Sequence, residues 1–233
     1  DHASVEGLYE DYDTDNKTVN HVTVEHDIPL TFWRSVGHSY TSFAKEGITD
    51  ELAEKAGMDP VAFRLKNTQG NPRLQNVIRV AQQHMRTMQP AAGRFLGFAA
   101  HNSFATDVAE IAEVSVVGKT IRVHKVTCIV DCGIAVNPDI VRGQMEGAVM
   151  FGLTAALYGD LELAQGAFKQ SNFHDYPILK MSEAPQVEVI IIDSGTAPTG
   201  VGEPGLPPIA PAVASAVYQA TGQRLRSLPL KIA

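Results

Sequence analysis

Between Pro198 and Pro211 the chain reads PTGVGEPGLPPIAP, and Glu203 is its one charged residue. A carboxylate among glycines, prolines and small apolar side chains has few polar neighbours. If such a loop is buried and no cation is near, the neutral form is favoured and the group becomes a stronger base at neutral pH. If the loop is a surface turn, as Gly/Pro clusters usually are, the carboxylate faces water. The loop alone favours the turn and leaves the base open. A second group of residues lies on a predicted helix over residues 138–158, which contains Gly143, Gly147 and Gly152. Each costs about 1 kcal/mol relative to alanine in a helix interior, roughly 3 kcal/mol together. Gly143 and Gly147 share a face that admits another backbone or a flat ligand, and Gln144 beside them can donate and accept. Tight helix-on-sheet packing explains the glycines equally well. The third candidate is Arg34 in TFWRSVGH. It can hold an anion or the polar edge of a cofactor, or it snorkels beside a surface Trp33.

Other chemistry-bearing residues form no constellation. The eight histidines are scattered without an H-E-x-x-H or other paired spacing, so His101, His124 and His174 read as structural. Tyr176 and Asp131 are polar candidates without a nameable partner. Cys128 and Cys132 lie four apart, which on a strand is about 13 Å and too far for a disulfide. Their spacing also lacks the pattern of a zinc site, so both read as packed thiols. No Walker-type loop is present, and the one G-x-G-x-x-G match, GVGEPG at 200–205, lies in no βαβ unit, so neither NAD nor ATP binding is supported. A net charge of −7 without a Lys/Arg run argues against a nucleic-acid or anionic-membrane surface. No apolar run approaches the ~18 residues that span a bilayer. The start, DHASVEGLYEDYD, has no Met and no signal-like apolar run and reads as internal; the compartment, periplasmic or cytoplasmic, stays undecided.

Positioning these residues takes ordinary elements. With 233 residues, 44% of them hydrophobic, the chain can build one large or two small domains. Residues 18–28 alternate like a strand, and a loop carrying Trp33 and Arg34 follows. A helix over about 41–56 stops at Gly57, and a short one starts at Pro60 behind an Asp59 cap. Residues 67–72 are the best linker, preceding an amphipathic helix over 73–88. From Gly93 the pattern turns strand-like, with a tight hairpin at Gly118–Lys119. The helix at 138 opens on an Asn137 cap, a hairpin covers 159–173, and QVEVIIID is a strand. A small-residue helix ends at Gly222, and RLRSLPL is a final strand. Strands and helices mix without regular βαβ alternation, giving an α+β class with mixed sheets and packed helices.

Three stretches together resemble a known family. DCGIAVNPDIVRGQMEGAVMFGL looks like the segment lining the pterin in large subunits of the xanthine dehydrogenase/aldehyde oxidase family. GVGEPGLPPIAPAVASAV looks like that family's loop with the active-site glutamate. TFWRSVGHSYTSFAKEGITDELAEKAGMDPVAFR is similar to the isoquinoline 1-oxidoreductase beta-subunit type. The likeness runs over nearly the whole chain and is weakest at residues 67–92.

The resemblance implies the C-terminal portion of a molybdopterin-binding molybdenum hydroxylase subunit. Residues 1–66 would end a first molybdopterin-binding domain, 67–92 would be linker and helix, and 93–233 a second such domain with the glutamate loop. Molybdenum would be held by molybdopterin, as its cytosine dinucleotide, and by no protein side chain. Glu203 would be the catalytic base, with Gln144, Arg34, Gly143 and Gly202 against the cofactor. Such enzymes oxidise an N-heteroaromatic ring or an aldehyde with water-derived oxygen. Electrons leave through 2Fe–2S clusters on a small partner subunit. Val36 stands where the xanthine branch places an aromatic that sandwiches the substrate, which argues against purines. The glycine-rich phosphate-cradling segments of the family are missing, so the chain is expected to need an N-terminal portion and to be inactive alone. Two other readings remain: a non-catalytic scaffold or interaction domain, and a hydrolase pairing Glu203 with a histidine, for which no nucleophile spacing exists.

Overall fold

A computed structural model describes residues 2–9, 11–25 and 27–232. A short 3-10 helix (His2–Val5) precedes three helices, α1 (His38–Lys55), α2 (Pro60–Lys66) and α3 (Pro72–Thr87). Three long strands follow, β1 (Phe95–Ser103), β2 (Thr106–Val117) and β3 (Thr120–Asp131), then α4 (Pro138–Tyr158). A two-residue hairpin of β4 (Leu163–Ala164) and β5 (Ala167–Phe168) leads to β6 (Gln186–Ile191) and α5 (Ile209–Thr221). The fold is α+β. Its main sheet has the order β1-β2-β3-β6, antiparallel except that β6 runs parallel to β3.

Alternation along the strands feeds two cores. Ala109 and Ile111 of β2 meet Leu74, Val77 and Ile78 of α3 on one face. Ala112 and Val114 meet Val149 and Leu153 of α4 and Val213 and Ala216 of α5 on the other. Gly97 lets α5 come close, because a Cβ there would lie 2.1 Å from the Ala212 carbonyl oxygen. The helix starts follow their caps. Asp59 accepts the Ala62 N–H at 2.8 Å, and Asn137 accepts those of Asp139 and Ile140 at 3.1 and 3.2 Å. Gly222 ends α5 with φ 72°. Cys128 and Cys132 are buried free thiols.

Buried charges seal the outer edge of β1. Glu46 Oε2 accepts the Ala100 N–H at 2.9 Å, and Asp11 accepts that of Asn102. Arg64, itself fully buried, bonds Glu46 at 2.9 Å and Asp50 at 2.7 Å. An open strand edge invites further pairing, and these carboxylates occupy it instead.

Two expected strands are not formed. Residues 18–25 and 27–28 lie outside any strand, while residue 26 is outside the described residues. Alternation marks a surface suited to a sheet, but a strand needs a partner backbone, and no described strand lies beside this one. RLRSLPL likewise carries no ladder; Leu230 donates its N–H to Ala156 at 2.7 Å and buries its side chain against the α4–α5 core. Among the described residues no helix is long and apolar enough to cross a membrane.

Candidate active site

Three elements far apart in sequence converge at the N-terminal half of α4: the turn before α1, the α4 helix and the loop before α5. Arg34 donates from Nε to the Gly202 carbonyl at 2.7 Å, and its Nη2 also reaches that carbonyl. The same Nη2 donates to the Gln144 backbone carbonyl at 3.2 Å and to its Oε1 at 3.1 Å. Ser35 N–H donates to Glu203 Oε1 at 2.9 Å, and Ser35 Oγ donates to the Glu203 carbonyl at 2.8 Å. Arg34, Gln144, Gly202 and Glu203 therefore form one connected group, with Gly143 beside Gln144 on the open side of α4.

Local structure explains how each is held. Trp33 to Val36 is a turn closed by the Val36 N–H on the Trp33 carbonyl at 2.9 Å. Ser35 (φ 73°) and Val36 (φ 47°) both occupy the left-handed region. For a β-branched valine this is a strained conformation, of the order of 1–3 kcal/mol per residue. The two Ser35 bonds to Glu203 over-determine it, and the Ser35 residue is fully buried. On the opposite side, Gly205 lets its loop settle onto α4, since a Cβ would lie 2.9 Å from Met145 Sδ. Gly152 serves the same contact, with Ile209 Cγ2 only 2.5 Å from its would-be Cβ. Residues 204–210 are buried.

Gly143 and Gly147 are different. A Cβ on Gly143 would meet nothing within 4 Å, and one on Gly147 only Arg34 Nη1 at 3.8 Å. Helix-on-sheet packing thus accounts for Gly152 but not for these two, which face outward with the exposed Gln144. Phe151, one turn beyond Gly147, extends the face and stacks on Trp33 with ring centroids 4.9 Å apart.

The Glu203 environment departs from the expectation of a carboxylate without polar neighbours. Glu203 is half-buried and accepts the Ser35 N–H through one oxygen, and no other described group bonds its carboxylate. Arg34 lies close enough for attraction: burial lowers the guanidinium from its ordinary value, opposed by the Glu203 charge. Ser35 was not singled out by sequence, because a serine in a turn carries no signal of a partner 168 residues away. Phe151 had a signal, the i+4 step from Gly147.

Asp131, His101 and His124 are engaged in contacts within the fold. Asp131 accepts from Ser194, Gly133 and Arg73, and this keeps its carboxyl below the usual range against the effect of burial. His101 is buried between Lys45 and His38, and burial lowers it to about 4. His124 bonds Ser115 at 2.7 Å, His174 is exposed, and Tyr176 is partly buried in the 171–176 turn, where its backbone N–H bonds the Asn172 carbonyl at 3.0 Å. Among the described residues no three His, Cys, Asp or Glu side chains converge as metal ligands. A groove of about 310 Å³ between α1, α5 and the C-terminal segment contains none of the converging residues.

A model of the molybdopterin cofactor-binding domain matches residues 43–185, which includes Gly143 and Gln144 but stops short of Arg34 and Glu203. The chain is 36% identical over 226 residues to the beta chain of isoquinoline 1-oxidoreductase from Brevundimonas diminuta, covering 94% of this chain and 29% of that protein. It is 32% identical to one of the subunits of nicotinate dehydrogenase from Pseudomonas putida, covering 94% and 20%. The aldehyde oxidoreductase of Desulfovibrio desulfuricans superposes with a TM-score of 0.71 at 17% identity, over 84% of this chain and 40% of that one. The shared architecture is an α+β domain with helices on both faces of a mixed sheet. The chain belongs to the molybdopterin cofactor-binding domain family, in its xanthine dehydrogenase type. It spans less than a third of the length of these two curated relatives.

The open glycine face fits a group of that kind: a helix surface costly in propensity, bare of the chain's own atoms and flanked by an amide.

Proposed function

We propose that this chain supplies the proton-accepting base and part of the cofactor surface of a molybdenum hydroxylase acting on an N-heteroaromatic ring or an aldehyde. The observation that carries this reading is the convergence of Glu203, Ser35, Arg34 and Gln144 from three separate elements. The net reaction adds oxygen from water to an electron-poor carbon and releases two protons and two electrons. The electrons leave to 2Fe–2S clusters of a small partner subunit.

Molybdopterin, as its cytosine dinucleotide, would supply the molybdenum and its redox chemistry, held against Gly143, Gln144 and Gly147. Glu203 accepts the proton of the water-derived hydroxyl. Ser35 N–H fixes one carboxylate oxygen and leaves the other for that transfer. Arg34 ties the Gly202 carbonyl to Gln144, so the base and the glycine face keep one spacing. Val36 leaves room where an aromatic would clamp a purine, which favours other rings or aldehydes. An N-terminal portion of the large subunit completes the cofactor site, and the 233-residue chain alone is expected to hold no cofactor and to be inactive.

The test is Glu203→Gln in the molybdenum-loaded, assembled enzyme. Turnover is expected to fall by about 10²–10⁴ with molybdenum and pterin content unchanged. Turnover within twofold of the parent would overturn the assignment and leave a scaffold domain.

A further inference from the structure

The segment leading into the Arg34 turn lies on the outside of the molecule. Residues 20–25 and 29–33 are all exposed, and no backbone–backbone hydrogen bond joins residues 20–25 or 29–32 to another described residue. Every described residue from 12 to 34 keeps a negative φ. Read as a strand, the alternation extends further than residue 28. Even positions carry Val22, Val24, His26, Ile28, Leu30 and Phe32, while odd ones carry Thr23, Glu25, Asp27, Pro29 and Thr31. Alternate residues share a face, so in a strand the even set makes an apolar stripe with one polar position, His26. Val22, Val24, Leu30 and Phe32 are 74–80% exposed.

The two edges of this strand are unequal. In an antiparallel ladder a residue's N–H and C=O point to the same edge, and successive residues alternate. Pro29 removes a donor from the odd edge, whereas no even position is proline. Among residues 22–25 and 29–32 only the even positions keep every donor, so complete pairing of these stretches is open along the even edge alone.

We infer that the two exposed stretches, residues 22–25 and 29–32, join an edge β-strand in the assembled protein. Its even edge pairs with a strand of the polypeptide that makes up the rest of the relatives' length, and its apolar stripe is buried on that polypeptide. This rests on the proposed function only for the identity of the partner. The relatives are more than three times as long as this chain, so a large polypeptide surface is available. The segment ends at Trp33, which stacks on Phe151 beside the glycine face of α4, so the strand and that face adjoin. A second copy of the chain would bring −7 against −7. Exposed apolar surface of this extent marks an interaction site. Pairing would also fix Phe32 and Trp33, and with them the strained turn that aims Ser35 at Glu203.

Residue-resolved hydrogen exchange on the enzyme purified with all its chains tests this, with the 233-residue chain as reference. Amides of Val22, Val24, Leu30 and Phe32 are expected to exchange about 100-fold more slowly in the assembly, while Thr23, Glu25 and Thr31 stay fast. Val24→Pro should then cut recovery of the assembled enzyme about tenfold, and Glu25→Pro should leave it within about twofold. Fast exchange at all these amides overturns the inference, as does equal damage from both prolines. Slow exchange in the isolated chain together with a dimer in sedimentation assigns the edge to a second copy and overturns it too. Molybdenum content and turnover of the same preparation keep the two readings apart. Slow exchange without molybdenum sinks the function alone, and turnover with fast exchange sinks the strand alone.

Discussion

Glu110 and Glu203 stand in opposite surroundings. Glu110, on β2 opposite Cys128 of β3, is fully buried, and neither carboxylate oxygen meets a nitrogen or oxygen donor. Burial holds its carboxyl well above the ordinary range, and the weakly donating Cys128 thiol does little to offset this. Glu203 is half-buried, with one oxygen fixed by Ser35. A raised proton affinity is therefore no sign of a catalytic base. The group must also be reachable and aimed, and only Glu203 is both. The isolated carboxylate expected from the apolar loop describes Glu110 better than the residue that prompted it.

The largest effects should separate the pair outright. Glu203→Gln is expected to cost about 10²–10⁴ in kcat of the assembled enzyme. Glu110→Gln should leave kcat within twofold, and comparable losses from both would break the comparison.

Two arginines extend it. Arg64→Ala strands the buried Glu46 and Asp50 and should cost about 3–5 kcal/mol of stability in a denaturant titration. Arg34→Ala, whose partners are carbonyl oxygens at a partly open site, should lower turnover while moving the denaturation midpoint much less.

Dependence on pH sharpens the contrast further. Because the folded Glu110 binds its proton more tightly than the unfolded chain, its contribution is fully present below about pH 4.3, the unfolded glutamate value. It is lost as pH rises towards the raised folded value. Glu110→Leu should raise the denaturation midpoint more at pH 8 than at pH 4.5. In that variant the slope between about pH 4 and 6 should be small, because burial raises Asp107 to about 6 and lowers His101 to about 4, and their contributions have opposite sign. Equal shifts at both pH values would mean that Glu110 is solvated.

The smallest effect concerns the glycine face. Gly143→Ala meets no atom, so the isolated chain should gain up to about 1 kcal/mol. The assembled enzyme should retain less molybdopterin. A stabilised variant with full pterin content would show that nothing lies on Gly143.

Local physics determined much of this protein from sequence alone. The Asp59 and Asn137 caps, the Gly222 stop, the Gly118 hairpin and the unpaired cysteines all follow from interactions within a few residues. Motif likeness also singled out Arg34, Gln144, Gly202 and Glu203. Only tertiary structure decided that these four touch, because contacts across 110 and 168 residues leave no local trace. It also separated Gly152, crowded by Ile209, from Gly143, which faces open space. Residues 18–28 mark the boundary between the two kinds of information. Their alternation is a local property and was legible, but a strand also requires a second backbone, and no sequence window contains its own partner.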